Sequence, residues 1–186
     1  MRIIGGKNRG RKLFVPEGNK IRPTSDRIRE SIFNILNSHM DGGFDGKVVV
    51  DLFSGTGALG LEAMSRGARS AILVDSQLEA ITLIKRNVEN LGENANITVL
   101  KRDATRIGPF PFLNSNADII FLDPPYDRKL IPVSLGSLIN NDWLANESLC
   151  IVELSIRETI DYHDKFNLVD IRKYGKTLVH ILRFKS

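Results

Sequence analysis

The chain has 186 residues, 42% of them hydrophobic, and a formal net charge of +4 at pH 7. This length suits one compact domain and leaves little room for a separate target-recognition domain of ordinary size. Apolar runs are too short to span a bilayer, no signal-peptide pattern begins the chain, and the one cysteine, Cys150, excludes an intramolecular disulfide. We therefore expect a protein of the reducing cytoplasm with no membrane partner and with Cys150 in its core.

The basic residues are concentrated near the start of the chain. Residues 1–29 contain nine Lys or Arg against two acidic residues, so the remainder is net negative. Such a patch, interleaved with glycine, predicts salt-sensitive contacts with RNA phosphates, against the alternative of a solvated terminal tail. The residues predicted to contact RNA, with Lys20 in the same patch, are Arg2, Lys7, Arg9, Arg11, Lys12, Arg22, Arg27 and Arg29.

A hairpin and a helix are predicted before residue 42. Residues 2–4 and 12–15 read as two strands around a glycine-containing turn. A helix is expected from Thr24 or Ser25, both N-cap candidates, to about His39. Two glycines at 42 and 43 mark a hinge, which divides a basic extension, residues 1–41, from a main domain, residues 42–186.

A glycine-rich turn follows the first strand of the main domain. The strand ends in Asp51-Leu52, and residues 53–57 lead into a helix. Glycines let the backbone approach a ligand closely, and the first helical amides favour a carboxylate or phosphate. Asp75 ends the next strand 20 positions after Gly55, as a ribose-binding acid should. The pattern fits a nicotinamide-dependent enzyme and a methyltransferase that uses S-adenosylmethionine equally well.

Further elements alternate along the rest of the chain. Helices are predicted at 57–66, at 77–91 and from after residue 127 to about 140, because glycines and apolar periodicity mark their limits. Strands are predicted at 97–100, 117–122 and 148–154. The last two strands, 165–173 and 176–184, read as an antiparallel hairpin.

The most informative motif is Asp123-Pro124-Pro125-Tyr126, directly after the apolar run 117–122. A double proline ends a buried strand in a rigid loop. This loop presents the Asp123 carboxylate, the Pro124 carbonyl and the ring of Tyr126. Two hydrogen-bond acceptors beside a stacking ring suit the exocyclic amine of a flipped base.

Parallel strands would bring these motifs together. If the strands before Phe53, Ser76, Ala104 and Pro124 are parallel and joined by helices, all four end at one edge of the sheet, where open α/β sheets bind ligands. Methyl donor and target amine would then share one crevice. This geometry favours an amine methyltransferase over a dehydrogenase, which has no use for the acceptor pair.

Three stretches, residues 22–34, 51–63 and 123–126, together resemble the bacterial family of small-subunit (16S) ribosomal RNA guanine-N2 methyltransferases. The resemblance implies an α/β, Rossmann-like class I fold with a mostly parallel seven-stranded sheet that ends in an antiparallel hairpin. It also implies transfer of a methyl group from S-adenosylmethionine, leaving S-adenosylhomocysteine, to a specific guanine of 16S ribosomal RNA. The expected substrate is a partly assembled small ribosomal subunit.

The resemblance implies a role for each part of the site. The methionine end of the donor is expected at Asp51, Phe53, Ser54, Gly55, Thr56 and Gly57, the ribose at Asp75 and Ser76, and the adenine at Asp103 and Ala104. Asp123 and the Pro124 carbonyl would accept the two amine protons, while Tyr126 holds the ring plane. Other interpretations remain open: an ordinary strand-to-helix turn, an N-cap role for Asp75 and a turn-forming role for Asp103. The three scattered histidines show no ligand spacing, so no metal is predicted.

Two rival functions remain open at the level of sequence. The Asp-Pro-Pro-Tyr tetrapeptide also suits adenine-N6 nucleic-acid methyltransferases, whose target amine has the same geometry. A noncatalytic RNA-binding assembly factor with a vestigial Rossmann-like pocket is the alternative from another class.

Overall fold

A computed structural model describes residues 1–16, 26–113, 115–125 and 129–186. Three residues singled out in the sequence, Lys20, Arg22 and Tyr126, lie outside this described part of the chain. The same holds for the predicted start of the first helix at Thr24 or Ser25.

Seven strands form one sheet in the order β3-β2-β1-β4-β5-β7-β6. Their bounds are β1 (Val48–Leu52), β2 (Ser70–Asp75), β3 (Ile97–Lys101), β4 (Ala117–Leu122), β5 (Leu144–Ser155), β6 (Phe166–Tyr174) and β7 (Thr177–Phe184). The five strands β1 to β5 are parallel to one another, and β7 pairs antiparallel with both β5 and β6. The predicted fold class is confirmed.

Helices connect the parallel strands. The described residues form α1 (Asp26–His39), α2 (Ala58–Ser65), α3 (Leu78–Leu91) and α4 (Leu130–Asn140), with a 3-10 turn at Ala104–Arg106. As predicted, Gly92 closes α3 in the left-handed conformation, with φ 73°. Within the described residues, no helix has the length and apolar character needed to cross a membrane.

One strand is longer than its apolar pattern predicts. β5 begins at Leu144, four residues before the predicted start, and its register against β4 shifts between Ala117 and Ile119. Asn146 and Glu147 fall in this irregular part and are exposed, so they interrupt the apolar run that marks the strand in the sequence.

The core lies on both faces of the sheet because side chains alternate along each strand. Val49 and Phe121 point to one face, where they pack in a cluster with residues of α1, α2 and α3. Val50 points to the other face, into a cluster that includes α4 and Trp143. Cys150 is fully buried there, as predicted.

The N-terminal extension packs on the face of the sheet that carries α1, α2 and α3. The predicted hairpin is present only as one antiparallel bridge between Arg2 and Lys12, with Ile3 N donating to Arg11 O at 3.0 Å. Ile3 and Leu13 are buried in the same cluster as α1 and α2. The extension therefore shares a core with the sheet, and the division at residue 41 stays a prediction.

Candidate active site

The carboxyl ends of three neighbouring strands meet at one edge of the sheet. Leu52 of β1 pairs with Val74 of β2 and with Leu122 of β4. Phe53 and Asp123 follow directly after these paired residues. The strand register thus confirms that the glycine turn and the double-proline loop share one edge.

The glycine turn, residues 53–57, is tied to β2 by backbone hydrogen bonds. Its first residue, Phe53, has a positive φ of 59°, which is uncommon for a residue with a side chain. Ser54 N donates to Val74 O at 3.0 Å, and Val74 N donates to Ser54 Oγ at 3.0 Å. Gly57 N then donates to Ser54 O at 2.7 Å. The turn is therefore a preformed loop with its amides fixed in place.

Asp75 holds both the glycine turn and the start of α3. Its Oδ2 accepts from Gly55 N at 2.9 Å, so the two ends of the 20-residue fingerprint are in direct contact. Its Oδ1 accepts from Gln77 N at 2.9 Å, next to the first residue of α3. The N-cap residue of α3 is Gln77 and the helix begins at Leu78, so the N-cap interpretation of Asp75 is wrong; its carboxylate binds the residue before the helix instead. A ribose contact by Asp75 and the exposed Ser76 stays a prediction.

Asp51 is a buried carboxyl beneath the turn. Its Oδ2 accepts from Gly60 N at 2.9 Å, and the side chain is 2% exposed. Burial raises the pKa of Asp51 to about 7, which the Gly60 hydrogen bond partly opposes and the charge of Asp75 reinforces. A cation placed beside this carboxyl would favour its ionised form. The contact between Asp51 and the methionine end of a donor stays a prediction.

Gly60 allows α2 to lie directly on β2. A Cβ at this position would stand 2.2 Å from Leu73 Cδ2 and 3.3 Å from Asp51 Cβ. Leu73 is fully buried, so it has little room to move. This glycine serves the packing of helix on strand, which in turn brings the Gly60 amide to Asp51.

Gly60→Ala is expected to lower the free energy of unfolding by about 1–3 kcal/mol, because the added methyl overpacks a filled core. Urea denaturation would measure the change. Gly136→Ala is the matched control, since a Cβ there meets nothing within 4 Å in the middle of α4. That control should leave stability unchanged or raise it by about 0.5–1 kcal/mol. Equal effects of both substitutions would contradict the packing role of Gly60.

Asp103 initiates the 3-10 turn after β3. Its Oδ1 accepts from Thr105 N at 2.9 Å and from Thr105 Oγ1 at 2.7 Å. These hydrogen bonds from Thr105 lower the pKa of Asp103 below its usual value. The turn-forming interpretation therefore describes this residue, while Ala104 beside it is buried. The adenine contact of both residues stays a prediction.

The double-proline loop begins where β4 ends, as predicted. Asp123 is half-buried, Pro124 is buried and Pro125 is exposed. Asp123 thus lies, partly exposed, at the same edge that carries the glycine turn. Tyr126, the predicted stacking residue, lies beyond the described part of this loop.

Six of the described residues predicted to contact RNA are exposed, and the side chains of three of these also contact other parts of the protein. Arg9, Lys12 and Arg27 are exposed. Arg2 pairs with Asp26 at 3.1 Å and Lys7 with Glu93 at 2.9 Å, although both basic side chains remain more than half exposed. Arg11 is exposed as well, and its guanidinium donates to the carbonyls of Asn90 and Leu91 at the end of α3.

The prediction that Arg29 contacts RNA is wrong, because its side chain is fully buried. Its guanidinium donates to Arg2 O and to Asp26 Oδ1, the latter at 3.0 Å, and lies 4.0 Å from a buried carboxylate oxygen of Glu62. Burial lowers the pKa of Arg29 below the ordinary arginine value. This arginine holds α1 against the extension and has no surface for a phosphate.

A buried asparagine, Asn87, links the extension to the glycine turn. Its Oδ1 accepts from Phe14 N at 2.7 Å, and its Nδ2 donates to Phe14 O at 3.0 Å and to Thr56 O at 2.9 Å. The sequence analysis did not select this residue. The available signal is a polar residue within the apolar stripe of α3, between Ile84 and Leu91, because a buried amide needs partners.

The chain is similar to a known family and to several named proteins. The family model described as "Conserved hypothetical protein 95" matches residues 1–183. The chain belongs to this family. It is 36% identical over 190 residues to the "Putative rRNA methyltransferase YlbH" of Bacillus subtilis, covering 98% of each chain. It is also 38% identical to the "Ribosomal RNA small subunit methyltransferase D" of Escherichia coli, covering 84% of this chain and 75% of that one.

The solved structures agree with the sequence relatives. The "Putative methyltransferase yhhF from Escherichia coli" superposes with a TM-score of 0.84 at 32% identity, over 100% of this chain and 98% of that chain. The fold of the family is therefore that of S-adenosylmethionine-dependent methyltransferases. Its named relatives include methyltransferases of small-subunit ribosomal RNA, which confirms the resemblance noted in the sequence.

Proposed function

We propose that this chain transfers a methyl group from S-adenosylmethionine to the exocyclic N2 amine of a guanine in 16S ribosomal RNA. One observation carries the proposal: the glycine turn after β1 and the Asp123 loop after β4 follow directly from paired residues of neighbouring strands. Strands in a sheet lie about 4.8 Å apart, so a donor held by one loop is within reach of an amine held by the other.

The donor suits the polar groups at this edge. Bound there, S-adenosylmethionine supplies an electrophilic methyl group on a positively charged sulfur. Asp51, buried with a pKa raised to about 7, would hold the donor's ammonium group, and the glycine turn would lie against the methionine end of the donor. Asp75 with Ser76 and Asp103 with Ala104 would bind its ribose and adenine.

The chain's own contribution to the reaction is orientation. The guanine amine is a weak nucleophile because its lone pair is delocalised into the ring. Asp123 would accept one amine proton and the carbonyl of Pro124 the other, which turns the lone pair toward the methyl group. After transfer, the nitrogen loses one proton, which Asp123 would take. Tyr126 is assigned from the sequence to hold the plane of the base.

The RNA contact rests on the exposed basic residues of the extension, namely Arg2, Lys7, Arg9, Arg11, Lys12 and Arg27. They would neutralise backbone phosphates and position the RNA without reading its sequence. Recognition of one guanine would then depend on the shape of a partly assembled small subunit in the cytoplasm. Arg22 belongs to the same proposal on the basis of the sequence alone.

Mapping the product tests this function directly. The protein would be incubated with isotopically labelled S-adenosylmethionine and small ribosomal subunits from a strain lacking the corresponding methyltransferase, and the modified nucleotide identified by mass spectrometry. One N2-methylguanine in 16S ribosomal RNA is the expected product. N6-methyladenine would replace the proposal with the adenine reaction, and donor binding without any methylated nucleotide would favour a noncatalytic factor.

A further inference from the structure

An aromatic ring and a guanidinium are stacked on the surface beside the extension. The Cζ atom of Arg86 lies 3.6 Å from the centroid of the Phe14 ring, and Phe14 is 37% exposed. Arg86 belongs to α3 and is exposed. Arg11 and Lys12, also exposed, precede Phe14 in the chain. The result is a planar cation fixed on an aromatic ring with two further cations next to it.

This arrangement is held rigidly because side chains of α3 bind the backbone of Lys12 and Phe14. Asn87 accepts from and donates to the peptide groups of Phe14, as a neighbouring strand would. Asn90 Nδ2 donates to Lys12 O at 3.0 Å. The ring of Phe14 and the guanidinium of Arg86 are thus presented from a fixed backbone, so little conformational entropy is lost when they bind a ligand.

The surface around Phe14 is concave. Arg11, Lys12, Leu13, Phe14 and Asn90 line a depression of about 370 Å³. The same Nδ2 atom of Asn87 that holds Phe14 also donates to Thr56 O, within the glycine turn. One side chain therefore joins the backbone of Phe14 to the loop proposed to bind the methyl donor.

We propose that Phe14, Arg86, Arg11 and Lys12 form a binding surface for single-stranded RNA, here called the Phe14–Arg86 surface. Aromatic rings stack unpaired bases, and a guanidinium fixed on a ring offers its N–H edges to a phosphate. Bases within a duplex are not accessible for such stacking, which selects an unpaired segment. The identity of the RNA rests on the function proposed above, and the expected segment flanks the base that enters the site.

The test uses substitutions on α3 that change charge equally. Arg86→Gln removes the stacked cation. Lys85→Gln is its matched control, since Lys85 is an exposed neighbour that lines a different depression, beside Ile97 and Val99 of β3. Phe14→Leu removes the ring while leaving the peptide groups that Asn87 binds. Thermal unfolding and S-adenosylmethionine affinity should match the parent chain in all three variants.

Binding would be measured by fluorescence anisotropy at several KCl concentrations. The ligands are a labelled single-stranded oligoribonucleotide, a duplex of the same sequence and a labelled poly-glutamate peptide. Arg86→Gln is expected to weaken single-strand binding by about 5- to 10-fold and to reduce the salt slope by about 0.7. Phe14→Leu should cost about 5- to 10-fold with an unchanged slope, because stacking carries no counterion release.

Three results would overturn the proposal. The first is an Arg86→Gln variant that binds the single strand as the Lys85→Gln variant does, because the guanidinium would then only cover Phe14. The second is an equal loss for duplex and single strand. The third is a preference for poly-glutamate, which would assign the surface to an acidic protein segment. None of these measurements requires methyl transfer, so they are independent of the product mapping that tests the proposed function.

Discussion

Asp123→Ala is expected to lower methyl transfer by at least about 100-fold, because in the proposed mechanism the carboxylate both orients the target amine and accepts its proton. The affinity for S-adenosylmethionine should change by less than about 2-fold, since Asp123 follows β4 and the loop proposed to bind the donor follows β1. The two effects are separable by a tritium-methyl assay on small ribosomal subunits and by calorimetry with the donor. The rate loss should appear in single-turnover experiments at saturating donor.

Asp45→Ala provides a control of the same type for this experiment. Asp45 is exposed in the loop before β1, at the opposite end of that strand from the glycine turn. Its replacement removes one surface carboxylate and should leave transfer and donor binding unchanged. Full turnover by Asp123→Ala would reject the orientation mechanism, and a parallel loss of donor affinity would instead assign Asp123 to the donor site.

The sheet and its functional edge could be predicted because their determinants are local in sequence. Apolar runs mark β1, β2 and β4, and glycine or proline stands where the chain turns after β1 and after β4. Parallel strands joined by helices must end at one edge, so the neighbourhood of Gly55 and Asp123 follows from the element order. The direct hydrogen bond between Gly55 and Asp75 then accounts for the fingerprint spacing.

The roles of buried polar residues could not be predicted in this way. In the sequence, Arg29 looks like one more member of a basic patch. In the structure it is buried beside Glu62 of α2, a residue distant in sequence. Asn87 has its decisive partners in Phe14 and Thr56, 73 and 31 positions away. Local periodicity carries no information on such pairings, because they depend on how the extension docks onto the helices.

The site carboxylates show a related ambiguity. The sequence allows Asp75 to be a ribose acceptor or a helix cap, and the structure shows it binding two backbone amides. A carboxylate has about four acceptor positions, so amide contacts leave capacity for ligand hydroxyls. Structural and ligand roles are therefore compatible in one residue, and sequence spacing alone has no means to separate them.

Asp51→Asn is expected to weaken S-adenosylmethionine binding by about 10- to 100-fold at pH 7, the value of a charge-assisted hydrogen bond to the donor's ammonium group. The same substitution should stabilise the free protein at neutral pH and above. Asparagine keeps an acceptor for Gly60 N and removes the cost of ionising a carboxyl that is 2% exposed. We expect a thermal midpoint about 5 °C higher than that of the parent chain at pH 8.

The pH dependence of the protein's stability and of its donor affinity follows from the pKa of Asp51, which burial raises from 3.8 to about 7. The stabilising contribution of the Asp51 side chain is complete below about pH 4 and is lost as pH rises through 7. The gain in stability on replacing Asp51 by Asn should therefore grow between these pH values and then level off. Donor affinity of the parent chain should move the other way and increase up to about pH 7, because only the ionised carboxyl pairs with the ammonium group. The donor's α-amino group itself titrates near pH 7.7–8.0, so calorimetry belongs between about pH 5.5 and 7. If the affinity of the parent chain is as flat over this interval as that of Asp51→Asn, the ammonium group binds elsewhere.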